Sequence, residues 1–74
     1  MVLTKHRMAG AGQVFHYRIS GLPPGEHAML AEFPDRAWRI LRWNDEWHGN
    51  WTGRYETAEA ALEALREQLI TAVA

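Results

Sequence analysis

A chain of 74 residues has room for one domain with a core of marginal size, and without cysteine it has neither a disulfide nor a thiolate zinc site to support it. Eight Lys and Arg against nine Asp and Glu give a formal charge of −1, neither the basic balance of a dedicated nucleic-acid domain nor the acidic one of a nucleic-acid mimic. No stretch is apolar enough to span a membrane, and the basic N-terminus lacks the apolar run of a secretory signal, so a cytoplasmic location is expected.

Residues 1–12 end in Ala9-Gly10-Ala11-Gly12 and read as a flexible tail, or alternatively a basic arm carrying Lys5 and Arg7. The domain proper is expected over 13–74. Residues 13–20 alternate, with Phe15, Tyr17 and Ile19 on one side and His16, Arg18 and Ser20 on the other, as in a half-buried strand. Gly21 to Gly25, with two prolines, make a loop. Residues 27–33 form a weaker strand, with Met29, Ala31 and Phe33 on one side and Ala28, Leu30 and Glu32 on the other.

Residues 36–43 and 46–55 read as a hairpin around a two-residue Asn44-Asp45 turn, since both residues tolerate the left-handed conformation. That register sets Trp43 opposite Glu46, Ile40 opposite Gly49 and Trp38 opposite Trp51. Trp38, Ile40, Trp47 and Trp51 then share one face. Arg39, Leu41, Trp43, His48, Asn50, Thr52 and Arg54 share the other. Thr57 is placed to cap a helix over Ala58–Val73, in which Ala58, Ala61, Leu62, Leu65, Leu69 and Val73 make an apolar stripe. Glu59, Glu63 and Glu67 make an opposite, acidic stripe, read as a solvated face.

One helix cannot bury its stripe alone. The expected partner is the sheet face with Phe15, Tyr17, Ile19, Met29, Phe33, Trp38, Ile40, Trp47 and Trp51, approached closely at Gly49. The fold class is therefore α+β: an antiparallel three- to four-stranded meander packed on one C-terminal helix.

The chain offers little for catalysis. Ser20 is the only serine and has no nucleophile-elbow sequence around it. His16 and His48 are candidate neighbours on the open sheet face, and Glu32 is the nearest carboxylate for a metal site, but two exposed strand histidines are the simpler reading. Asp45, Glu46 and His48 sit at an exposed turn without a pocket to tune them. No glycine-rich phosphate loop precedes a helix. No enzyme activity, metal or cofactor is expected.

Residues 51–61, Trp-Thr-Gly-Arg-Tyr-Glu-Thr-Ala-Glu-Ala-Ala, resemble the last strand and helix start of plant AP2-type DNA-binding domains, with related folds in the arm-binding domains of phage-type integrases. The resemblance implies a three-stranded sheet on a helix, with the sheet entering the DNA major groove and Arg54 in the matched part of the reading strand. The family's arginine-rich first strand and Arg-Gly opening have no close counterpart upstream, where Tyr17-Arg18-Ile19-Ser20 stands instead.

Exposed Trp and Leu beside arginine have the composition of a binding hot spot. The expected function is a non-catalytic protein-interaction module, a small regulator or inhibitor, acting through Arg18, Arg39, Leu41, Trp43, His48, Asn50 and Arg54. The alternative is DNA binding through the same face. A homodimer through that face is a further alternative.

Overall fold

The structure, a computed structural model, describes residues 2–8 and 16–73, with the side chains of 72 and 73 excepted. It contains five strands and one helix: β1 (Thr4–Arg7), β2 (His16–Ser20), β3 (His27–Glu32), β4 (Trp38–Trp43), β5 (Thr52–Tyr55) and α1 (Ala58–Val73). The strands form one antiparallel sheet in the order β1-β2-β3-β4-β5, a meander. The helix packs on one side of it, against β3, β4 and β5. The α+β meander with a C-terminal helix is as expected. Its fifth strand comes from the segment read as a tail, where Lys5 pairs with Ile19 and His6 with Arg18. Residues 1 and 9–12 of the expected tail, residues 13–15 of the first expected strand with Phe15 among them, and the Val73 side chain of the expected helix stripe lie outside the described residues.

The core explains the sheet's polarity. Ile19, Ala28, Leu30, Trp38 and Ile40 meet Ala58, Ala61, Leu65 and Leu69 of the helix, and Leu30, Ile40 and Leu65 are fully buried. Burying each of these three side chains contributes about 1.5–3 kcal/mol relative to leaving it exposed. The helix begins where the sequence placed it: the Thr57 hydroxyl accepts the Ala60 N–H at 3.0 Å, satisfying one of the first-turn donors. Lys5 reaches across from β1 to Glu59 at 3.4 Å, with its ammonium 4.8 Å from the Tyr17 ring centroid. Arg42 reaches Gln68 at 3.4 Å.

In β3 the faces are the reverse of those expected. Ala28 and Leu30 turn to the helix, and Met29, Ala31 and Phe33 turn away. Both sides of this strand are apolar, so alternation alone gives its period and not its sign. Leu30 settles it by standing between Tyr17 and Ile40 in the ladder.

The β4–β5 hairpin also departs from the expected register. Neither Asn44 nor Asp45 takes a positive φ, which a two-residue type I′ loop requires at both positions. Instead the Asn44 side chain accepts the Glu46 N–H at 2.9 Å, and the Asn44 N–H donates to the Trp47 carbonyl at 2.8 Å. A wider loop results, and Trp43 faces His48. The chain then gains a residue before Thr52 pairs with Ile40, and another before Tyr55 pairs with Trp38.

Such irregularities re-aim side chains. Trp38 still faces the helix, 9% exposed and stacked on Tyr17 with ring centroids 5.6 Å apart. Trp51 does not join it. It meets Phe33 edge-on at 5.3 Å, on the side away from the helix. Trp47, expected in the core, is 51% exposed at the hairpin end. Gly53, with φ of +85°, carries the second irregularity, and a side chain there would run into the Tyr55 ring.

Candidate functional site

The helix occupies one side of the sheet and leaves the other open. The register fixes what that open side presents. His6, Arg18, Met29 and Leu41 form one row across four strands. His16, Ala31 and Arg39 form a second, and His27, Trp43 and His48 a third. In the third row the rings stack: His27 on Trp43 at 5.5 Å and 20°, and Trp43 on His48 at 6.1 Å and 23°. Met29, Leu41 and Trp43 are half-buried although no element among the described residues covers them, and Arg18 is exposed.

The expected contact residues therefore divide. Arg18, Leu41, Trp43 and His48 come together on the open side, and Arg39 lies there too. Its guanidinium is engaged, 2.8 Å from Asp35 and 4.5 Å from the Phe33 centroid. Arg54 is largely exposed at the edge of the sheet and approaches the same Asp35 at 3.6 Å. Asn50 is exposed between the hairpin loop and β5, outside any strand.

Asp35 is held below the ordinary carboxylate range, first by its hydrogen bond to Arg39, then by the Ala37 N–H, with a further contribution from the Arg54 charge. The site includes residues the sequence reading set in the core. Phe33 and Trp51, with His16, Ala31, Glu32 and Pro34, line a shallow cleft of about 250 Å³. Drug-sized ligand pockets begin at roughly 300 Å³, so this one suits a single inserted side chain better.

The chemistry-bearing residues do not assemble further. His16 and His48 share the open side but stand at rows marked by Arg39 and Trp43, four residues apart along β4, or roughly 13 Å at strand rise. Among the described residues no three His, Asp or Glu side chains converge as a metal site would need. Ser20 and His6 are hydrogen-bonded, Oγ to Nε2, at 2.7 Å. That pair lies at the exposed end of β1 and β2, and its imidazole has no carboxylate partner among the described residues to orient it as in a catalytic triad.

Comparison of the chain with protein-family models, with curated proteins and with solved structures finds no match.

Proposed function

We propose that this chain is a non-catalytic protein-binding module whose contact surface is the sheet face opposite the helix. The observation that carries the reading is the half-buried Met29, Leu41 and Trp43 on adjacent strands, uncovered by any element among the described residues and bordered by Arg18 and the histidines. Apolar and aromatic anchors with a polar surround have the anatomy of an interface centre. The cleft beside Phe33 and Trp51 adds a receptor for one partner side chain.

DNA binding through the same face is the second reading. It is favoured by Arg18 and by the resemblance of residues 51–61 to AP2-type domains. Two features weigh against it. Arg39 and Arg54 share Asp35, which leaves fewer cations for phosphate. Both sides of the Trp43 ring already carry an imidazole, so a nucleobase finds no free indole face there.

The test pairs two variants. Trp43→Ala and Leu41→Gln, each checked by thermal melting, are used to capture a partner from the native host, and the captured protein is then tested as a purified component. Loss of about 2 kcal/mol of affinity with the melting transition retained supports the reading. A partner bound equally by both variants contradicts it. Duplex DNA shifted in low salt, with affinity falling steeply as salt rises, would support the second reading instead.

A further inference from the structure

All four histidines of the chain lie on the open face: His6 in register with Arg18, His16 with Ala31, and His27 and His48 on either side of Trp43. They come from three strands and the hairpin loop. No Asp or Glu occupies an open-face position of the five strands: Thr4 and His6, then His16, Arg18 and Ser20, then His27, Met29 and Ala31, then Arg39, Leu41 and Trp43, then Arg54. Outside the helix, the carboxylates lie toward the two ends of the sheet. Glu26, Asp45 and Glu46 line a cleft at one end. Asp35 and Glu56, with Arg36 and Arg54, line another at the opposite end.

This layout makes the sign of the face depend on the imidazoles. With the histidines neutral, Arg18, Arg36, Arg39 and Arg54 are offset by the carboxylates at the ends. With the histidines charged, up to four positive charges are added to the face: His6 on the edge strand of the middle row, His16 at one end, and His27 and His48 at the end that holds Glu26 and Glu46. Resting on the protein-binding reading above, we infer that the partner presents a carboxylate-rich segment to this face and that binding is gated by pH, tightening as the histidines protonate. Charge complementarity selects the occupant: a carboxylate meets repulsion from the acids at the sheet ends near neutrality, and net attraction in acid once the histidines beside those ends are charged.

Each histidine has polar, charged or aromatic neighbours. His6 faces the Ser20 hydroxyl at 2.7 Å and has Arg18 across the strand. His16 shares its cleft with Glu32, Phe33, Pro34 and Trp51, with Arg39 one strand beyond Ala31. His27 lies on Trp43, with Glu26 preceding it in the chain. His48 lies on the other side of Trp43, its Nδ1 3.3 Å from the Gly49 carbonyl and Glu46 in the loop before it. Glu26, Glu32 and Glu46 are the carboxylates beside these rings, Arg18 and Arg39 are the guanidinium groups, and a bound carboxylate segment adds further acids to the same face. An imidazolium stacked on the Trp43 indole also gains a cation–π contact.

The experiment uses a short fluorescent peptide alternating Asp and Leu, with an Asn and Leu peptide as control, titrated with the full chain at about pH 7.5 and about pH 5.5, on either side of the ordinary imidazole value of about 6.5. The Asp peptide should bind at least about tenfold tighter at the lower pH, the equivalent of one unit of coupled pKa. The Asn peptide should show no such gain. The fourfold variant His6→Gln, His16→Gln, His27→Gln, His48→Gln, confirmed folded by its melting transition, should bind the Asp peptide equally at both pH values.

Asp-peptide binding that needs Leu41 and Trp43 but does not change with pH overturns the gating and leaves the protein-binding surface standing. Binding indifferent to Leu41→Gln and Trp43→Ala overturns the surface itself. No binding at the lower pH, or a duplex DNA bound more tightly than the peptide there, overturns the carboxylate partner. Self-association through this face that weakens in acid, seen by sedimentation of the chain alone, identifies a second copy as the occupant and overturns it likewise.

Discussion

At the scale of single residues, the turn between β3 and β4 carries the clearest local tension. Arg36 has φ of +66° and donates its N–H to the Phe33 carbonyl at 2.8 Å, while the Phe33 N–H reaches Ala37 at 2.9 Å. This is the three-residue hairpin loop that ordinarily places glycine at its left-handed position. Arg36→Gly should therefore stabilise the domain by about 0.5–1 kcal/mol, the left-handed penalty removed less the entropy glycine adds to the unfolded chain. Chemical denaturation measures it, and a destabilised variant contradicts the reading.

Asp35, one residue earlier, is the anchor for Arg39 and Arg54. Its carboxyl titrates lower in the folded state than in the unfolded chain, so its contribution is present above the ordinary carboxylate value and is lost as pH falls through the lowered one. Denaturation of wild type and Asp35→Asn should differ near pH 6 and converge in strong acid, below the carboxylate range of about 4. A gap that persists unchanged in strong acid would deny the carboxylate this role.

Among the elements, the helix was the most legible in the sequence. Its cap, its apolar stripe from Ala58 to Leu69 and its acidic outer face stand as the spacing indicates, because Ala61, Leu65 and Leu69 repeat at helical intervals and Thr57 has a first-turn N–H to accept. Tyr17 and Ile19 in β2, and Trp38 and Ile40 in β4, were also legible as one buried face. The sign of β3 was not, because Met29, Ala31 and Phe33 are as apolar as Ala28 and Leu30. Strand β1 was hidden because Thr-Lys-His-Arg is polar on both sides, as an edge strand can be.

The hairpin defeated the pairing rule for a different reason. Each extra residue in the chain leading through β5 exchanges inward and outward positions, and the composition of residues 46–55 does not announce where the extra residues fall. Two element-scale predictions follow from the geometry found. Leu65→Ala removes a fully buried side chain at the centre of the helix–sheet contact and should cost about 2–5 kcal/mol. Gly53→Ala should destabilise as well, since it meets both the left-handed backbone and the Tyr55 ring. Urea titration reads both. A neutral Leu65→Ala would place the core elsewhere.

For the whole molecule, the sheet separates two environments. One side is spent on stability, with Trp38 and the fully buried Leu30 and Ile40 beneath the helix. The other holds Arg18, Met29, Leu41 and Trp43 without a covering layer among the described residues, and gathers every histidine in the chain. The open-face positions of Arg18, Arg39, Leu41 and Trp43 were readable from alternation. Phe33 and Trp51 were set on the wrong face because hydrophobicity alone does not tell the two faces apart, and only the register does. The division gives a chain of near-zero net charge faces of unlike local charge.

The most direct measurement of this division is an amide chemical-shift map of the isotope-labelled chain with its purified partner. Shifts concentrated at Arg18, Met29, Leu41 and Trp43, with Glu63 and Glu67 on the outer helix unmoved, are the result the proposed contact surface predicts. Shifts centred on the outer helix, with those four residues silent, would contradict it.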